Sequence, residues 1–142
     1  MASVIIIYGS SGGNTELVCE KVAEILSEQG INTILQRVEQ SQVTDIFKGD
    51  VCVLAAPTYE HGVIQHHFVP FLKELKKFDL KQKSMTIIAL GDPIYDDHYH
   101  IESANILDRA IKGSNGKLLT HTLRISRCPL PQLETRVKIW AE

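Results

Sequence analysis

The chain is short of cysteine, of concentrated positive charge and of long apolar runs, and each shortage excludes a class of function. Its three cysteines, Cys19, Cys52 and Cys128, are odd in number and widely spaced. No CxxC pair occurs, so the sequence offers neither a disulfide framework nor a dithiol or zinc motif. They read as buried or incidental thiols in a reducing compartment. Lysine and arginine number 15 against 17 aspartates and glutamates, giving a net charge of −2. Nucleic acid and anionic membranes both require a concentrated basic patch, which this balance does not predict. No apolar stretch approaches the roughly 18 residues of a membrane span. Met1-Ala2-Ser3 leads straight into an apolar strand, without the charged segment and cleavable apolar core of a secretion signal. The reading is a soluble cytoplasmic protein, expected to be monomeric, with no nucleic-acid or membrane partner.

What is present suits one domain, residues 1–142, large enough to fold without a metal or disulfide staple. Val4 to Tyr8, Val51 to Ala56 and Thr86 to Leu90 are apolar on both faces, as central parallel strands are. Ile31 to Val38 alternates weakly and predicts a further strand, and Leu118 to Ile125 predicts a fifth. Between them lie helical patterns. Glu16 to Glu28 carries Leu17, Val18, Val22, Ile25 and Leu26 on one stripe and stops at Gly30. Phe68 to Lys77, Ile101 to Lys112 and Leu133 to Ala141 read as helices, and Val43 to Phe47 as a short helical turn. Strands that alternate with helices pair in parallel through right-handed crossovers. The expectation is an α/β fold: a doubly wound, five-stranded parallel sheet with helices on both faces. Ligands of such sheets sit beyond the carboxyl ends of the strands, where the strand order reverses. Three loops leave that edge: Gly9–Thr15, Pro57–Gln65 and Asp92–Tyr99.

The first loop, Gly9-Ser10-Ser11-Gly12-Gly13-Asn14-Thr15, has the makings of an anion cradle. Gly12 and Gly13 permit a tight turn and close backbone approach. Unpaired N–H groups and the helix dipole face the ligand side. Ser10, Ser11 and Thr15 add hydroxyl donors. No lysine or arginine lies in the loop, and Lys21 is the first to follow it. The loop is neither a P-loop, lacking Gly-Lys-Ser/Thr, nor a GxGxxG turn. The plain alternative is a glycine-rich turn with a helix cap. The second and third loops each contribute a tyrosine, Tyr59 and Tyr95, to the same edge, where a flat π-system could be stacked.

These segments resemble those of the flavodoxins. Gly9 to Glu16 is similar to the loop that binds the 5′-phosphate of FMN in that family. Ala55-Ala56-Pro57-Thr58-Tyr59-Glu60-His61-Gly62 and Gly91-Asp92-Pro93-Ile94-Tyr95 are similar to its two ring-binding loops. The absence of a long insertion in the fifth strand matches the short-chain forms. The resemblance implies a flavodoxin-like fold and an electron carrier, not an enzyme, with non-covalent FMN and no metal. It implies phosphate contacts from Ser10, Ser11, Gly12, Gly13, Asn14 and Thr15. It also implies ring contacts from Pro57, Thr58, Tyr59, Glu60, His61, Gly62, Gly91, Asp92, Tyr95, His98 and Tyr99, with Tyr59 and Tyr95 on opposite faces of the ring. The implied partners are a flavin-containing NADP reductase and low-potential electron donors or acceptors.

Three departures from the family pattern have consequences. Gly12 stands where the family often has threonine, which weakens the phosphate grip without abolishing it. Glu60 stands where glycine is common, and a non-glycine residue resists the positive φ that the family's peptide flip uses, by about 1 kcal/mol. The chain is also less acidic than its relatives, with His66-His67 where acids are common, so a less negative low potential and weaker steering onto basic reductases are expected. His61, His66, His67, His98 and His100 gather near the two ring loops, and they read first as solvated loop residues. Two other functions compete with the carrier: an FMN-dependent NAD(P)H or quinone reductase, and a flavodoxin-like module that has lost FMN. A receiver domain shares the topology, but Gly9-Ser10 and Pro57-Thr58 stand where its acidic residues would be.

Overall fold

The strongest apolar runs of the sequence become the centre of one sheet. The computed structural model describes residues 3–9, 14–59, 63–64, 68–77, 79–81, 83–90, 102–114, 116–118 and 123–125. Its strands are β1 (Ser3–Tyr8), β2 (Asn32–Arg37), β3 (Val51–Tyr59), β4 (Val63–Ile64), β5 (Ser84–Leu90), β6 (Lys117–Leu118) and β7 (Leu123–Ile125). Its helices are α1 (Asn14–Glu28), α2 (Phe68–Leu75) and α3 (Glu102–Gly113), with 3-10 turns at Val38–Gln40 and Val43–Lys48. The order across the sheet is β2-β1-β3-β5-β6, all parallel. β7 also pairs in parallel with β5, on the flank that β3 leaves open. Five parallel positions therefore span the sheet, as expected.

Side chains on alternate residues feed two separate cores. Ile5, Ile7, Cys52, Leu54, Met85 and Ile87 point to the face covered by α2 and α3, where Phe68, Leu75, Leu107 and Ile111 meet them. Val4, Ile6, Val53, Ala55 and Ile88 point to the other face, against Val18, Cys19, Val22 and Ile25 of α1. This double burial is why the strand sequences do not alternate.

Two expected boundaries differ. The fifth strand, expected over Leu118 to Ile125, is found as β6 and β7, with residues 119–122 outside the described set. The segment from Pro57, expected as loop, instead continues β3 to Tyr59 and turns back into β4, pairing Thr58 with Ile64 and Tyr59 with Val63. Pro57 is the last residue in register with β5, opposite Leu90, so its missing N–H falls where that ladder ends. Beyond it the backbone groups of β3 are paired by an antiparallel partner instead. The expected helix over Leu133 to Ala141 lies outside the described residues.

Two glycines are demanded by geometry. Gly30, at φ 81°, ends α1 in a left-handed cap, with Gly30 N–H donating to the Ser27 carbonyl at 3.1 Å and Ile31 N–H to Leu26 at 3.0 Å. Gly49 lies against β1: a Cβ there would stand 2.8 Å from the Ile5 nitrogen and 3.1 Å from the Val51 oxygen. Both neighbours are sheet backbone and cannot swing aside. Gly49→Ala is therefore expected to destabilise the fold by about 1–3 kcal/mol, an overpacking cost. A urea denaturation midpoint unchanged from that of the parent would refute this. At the far side, Ser114 is buried and its Oγ donates to the Leu75 carbonyl at 2.8 Å. Its own carbonyl accepts from Leu80 N–H at 2.7 Å, so the ends of α2 and α3 are tied together.

Candidate functional site

The strand order reverses between β1 and β3. After β1 the chain crosses to β2 on one side, then returns to β3 on the other. A crevice opens at the carboxyl ends of strands at such a point. Its walls are held in register by Tyr8 opposite Ala55 and by Gly9 N–H donating to the Ala55 carbonyl at 3.1 Å. The chain leaves β1 at this crevice and enters α1 at Asn14, so the positive end of the α1 dipole lies at its mouth.

Thr15, in the first turn of α1, is 1% exposed, and its Oγ1 has no hydrogen-bond partner. An unpaired buried hydroxyl costs about 1–3 kcal/mol. An anion rich in acceptor oxygens at this mouth would supply the missing partner, so the residues present fit a phosphate. The other orphaned buried hydroxyl among the described residues, Thr86 Oγ1, lies on β5.

One cluster at this edge was not foreseen. Arg37 closes β2 and pairs in register with Tyr8, and its guanidinium carbon lies 5.5 Å from the Tyr8 ring centroid. It donates to Glu16 of α1 and to Glu39, both at 3.1 Å. A cation does stand beside the crevice, but two carboxylates hold it. Burial raises the Tyr8 phenol above its ordinary range, and the Glu16 carboxylate adds to the effect. The linear sequence separates these residues, and only the parallel β1–β2 register brings them together.

Of the residues expected to hold the ligand, Thr15 and the backbone of Asn14 lie at the start of α1. The backbone of Pro57, Thr58 and Tyr59 lies on the end of β3, carried past the last β5 pairing by the β3–β4 hairpin. Ser10, Ser11, Gly12, Gly13, Glu60, His61, Gly62, Gly91, Asp92, Tyr95, His98 and Tyr99 lie outside the described residues, as do His66, His67 and His100. Among the described residues no group of three or more His, Cys, Asp and Glu could hold a metal ion. No described helix is long and apolar enough to cross a membrane. Cys19 and Cys52 are buried, and burial pushes both thiols far above the ordinary range, so neither is a nucleophile at neutral pH. Cys128 lies outside the described residues.

A doubly wound parallel sheet with a helix starting at its switch point is the architecture of α/β domains that bind ligands, nucleotides among them, at that edge. The Flavodoxin family model matches residues 6–140, and the chain belongs to the flavodoxin family. A flavodoxin of Maridesulfovibrio salexigens is 28% identical over 132 residues, spanning 91% of this chain and 89% of that protein. The structure of oxidised flavodoxin 2 from Bacillus cereus superposes with a TM-score of 0.89 at 22% identity, over 99% of this chain and 95% of that one. The flavodoxin of Fusobacterium nucleatum bound to flavin mononucleotide gives 0.79 at 16%, over 99% of this chain and 95% of that one. At these identities the two structures speak for the fold alone. As a member of the family the chain is an FMN-binding electron-transfer protein, not an enzyme.

Proposed function

We propose that this single-domain chain, 1–142, acts as a cytoplasmic monomer that takes electrons from a flavin-containing NADP reductase and delivers them to low-potential acceptors. FMN supplies the redox chemistry when bound, and the protein holds it and sets its environment. The phosphate falls to Ser10, Ser11, Gly12, Gly13, Asn14 and Thr15 at the start of α1. The ring falls to Pro57, Thr58, Tyr59, Glu60, His61 and Gly62 around the end of β3, and to Gly91, Asp92, Tyr95, His98 and Tyr99 after β5. The observation that carries this reading is the buried, partnerless Thr15 hydroxyl at the crevice. The Arg37 cluster supports it further: with that guanidinium engaged by Glu16 and Glu39, dipoles and hydroxyls are left to grip the phosphate.

Absorbance of the purified protein and FMN titration of the apoprotein test the reading. Yellow protein that leaves NADPH unoxidised alone, but is reduced once a flavin-containing NADP reductase is added, is expected. Steady NAD(P)H oxidation by the protein alone would favour a reductase. Colourless protein with no FMN uptake would mark a module that has lost its cofactor.

Two substitutions probe individual residues. Thr15→Val removes a hydroxyl that lacks a partner in the unliganded protein and gains one from phosphate. The variant apoprotein is expected to be more stable by about 1 kcal/mol, and its FMN affinity about tenfold weaker. Opposite signs in calorimetry and FMN titration are the signature, and equal affinity for parent and variant would remove Thr15 from the phosphate site. Glu60→Gly lowers the cost of positive φ at that position by about 1 kcal/mol. It is expected to widen the gap between the two one-electron potentials of FMN, read by spectroelectrochemistry. An unchanged gap discards a role for Glu60.

A further inference from the structure

A second surface carries charge that the flavin site does not use. On the face of the sheet opposite α1, α2 and α3 leave between them a cleft of about 540 Å³. Val69, Leu72 and Ile106 form its apolar lining, and Val69 is 37% exposed. Lys73 of α2 and Lys76, in the turn just past its end, stand on one wall and Arg109 of α3 on the other, and among the described residues no carboxylate lines the cleft. Two acids of these helices are engaged outside it: Glu74 pairs with Lys77 at 3.6 Å, and Asp108 with Lys112 at 3.2 Å. Lys73 and Lys76 have no ion pair among the described residues. Lys76 N–H donates to the Leu72 carbonyl at 3.1 Å, which holds it at the helix end three residues from Lys73, where like charges repel. A chain of net charge −2 thus gathers positive charge around a cleft whose apolar floor runs from the buried Leu72 to the exposed Val69.

We propose that the α2–α3 cleft is a docking surface for an acidic amphipathic helix of a partner protein. Such a helix would lay an apolar stripe along Val69, Leu72 and Ile106, flanked by carboxylates that meet Lys73 and Lys76. This is the helix-in-groove mode of recognition. Charge complementarity selects the occupant, since an acidic segment relieves the repulsion between the two lysines and a basic one adds to it. The cleft is preformed, because Ser114 ties the ends of α2 and α3 together, and a rigid site loses less on binding. The cleft and α1 lie on opposite faces of the sheet.

The test uses the FMN-loaded full chain and a designed helical peptide of about 18 residues, long enough to hold a helix. Leucines form its stripe and glutamates flank it, and a twin carries lysine at every glutamate. The acidic peptide is expected to shift NMR amide signals of α2 and α3, and to bind about tenfold more weakly at high salt, where charge is screened. Lys73→Glu/Lys76→Glu is expected to weaken it by about tenfold or more, with flavin absorbance and thermal midpoint unchanged. Lys73→Ala/Lys76→Ala, which adds no new charge, provides the same reading should the first pair impair folding. Equal binding of the two peptides, shifts confined to other elements, or unaltered binding by both variants would overturn the proposal. So would sedimentation showing that this face pairs with a second copy of the chain.

Discussion

Withdrawing FMN is expected to lower the thermal midpoint of this protein by roughly 10 °C. A ligand that binds only the folded state, held at a thousandfold excess over its Kd, stabilises that state by about 4 kcal/mol. For a domain of this size each kcal/mol moves the midpoint by about 3 °C. The effect is anchored in the crevice between β1 and β3, where the Thr15 hydroxyl is buried without a partner. Filling the mouth removes that local cost and adds new hydrogen bonds. Calorimetry on holoprotein, apoprotein and apoprotein titrated with FMN should give a midpoint that climbs with FMN concentration. A midpoint indifferent to FMN would mean that the crevice does not take the nucleotide.

The largest effect of a single substitution is expected at Phe68. Its side chain is fully buried at the first turn of α2, and its ring meets Phe71 edge to face, with centroids 6.0 Å apart and planes at 82°. Phe68→Ala removes the transfer energy of the ring and leaves a void between α2 and the sheet, a loss of about 3–5 kcal/mol. That is a large share of the about 5–15 kcal/mol by which domains are stable. Phe68→Leu should cost far less, because it fills most of the space. Urea unfolding of both variants separates the outcomes. A small loss at Phe68→Ala would mean that α2 collapses onto the sheet and erases the cavity.

Most of the sheet was legible because its central strands are buried on both sides. Ile5, Ile6 and Ile7 in unbroken succession leave a helix or an edge strand with little claim, and Cys52 to Ala56 and Met85 to Ala89 repeat the pattern. β2 was read less sharply for the converse reason. It is an edge strand, and Ile34 and Leu35 are exposed, so its alternation is blurred. The hairpin after Ala56 was missed because Pro57 argues locally against a strand. The tertiary arrangement places that proline where the β5 ladder stops and hands the following residues an antiparallel partner.

At the site, the passage from the first strand into α1 could be read directly, since it is local. The engaged guanidinium could not. Tyr8, Glu16, Arg37 and Glu39 meet only through the β1–β2 register and the packing of α1 beside it. A search for cations in the loop itself passes over Arg37, which arrives 21 residues after Glu16. The α2–α3 cleft was equally illegible, because an overall charge near neutrality hides how the two signs are partitioned between helix faces.

The order β2-β1-β3 has a consequence for biosynthesis. Both walls of the crevice, and the helix that aims its dipole into it, are encoded in one uninterrupted stretch ending at Tyr59. β1, β2 and β3 are all synthesised before β5 or α3. The segment that builds the crevice thus precedes the outer flank of the sheet in the order of translation.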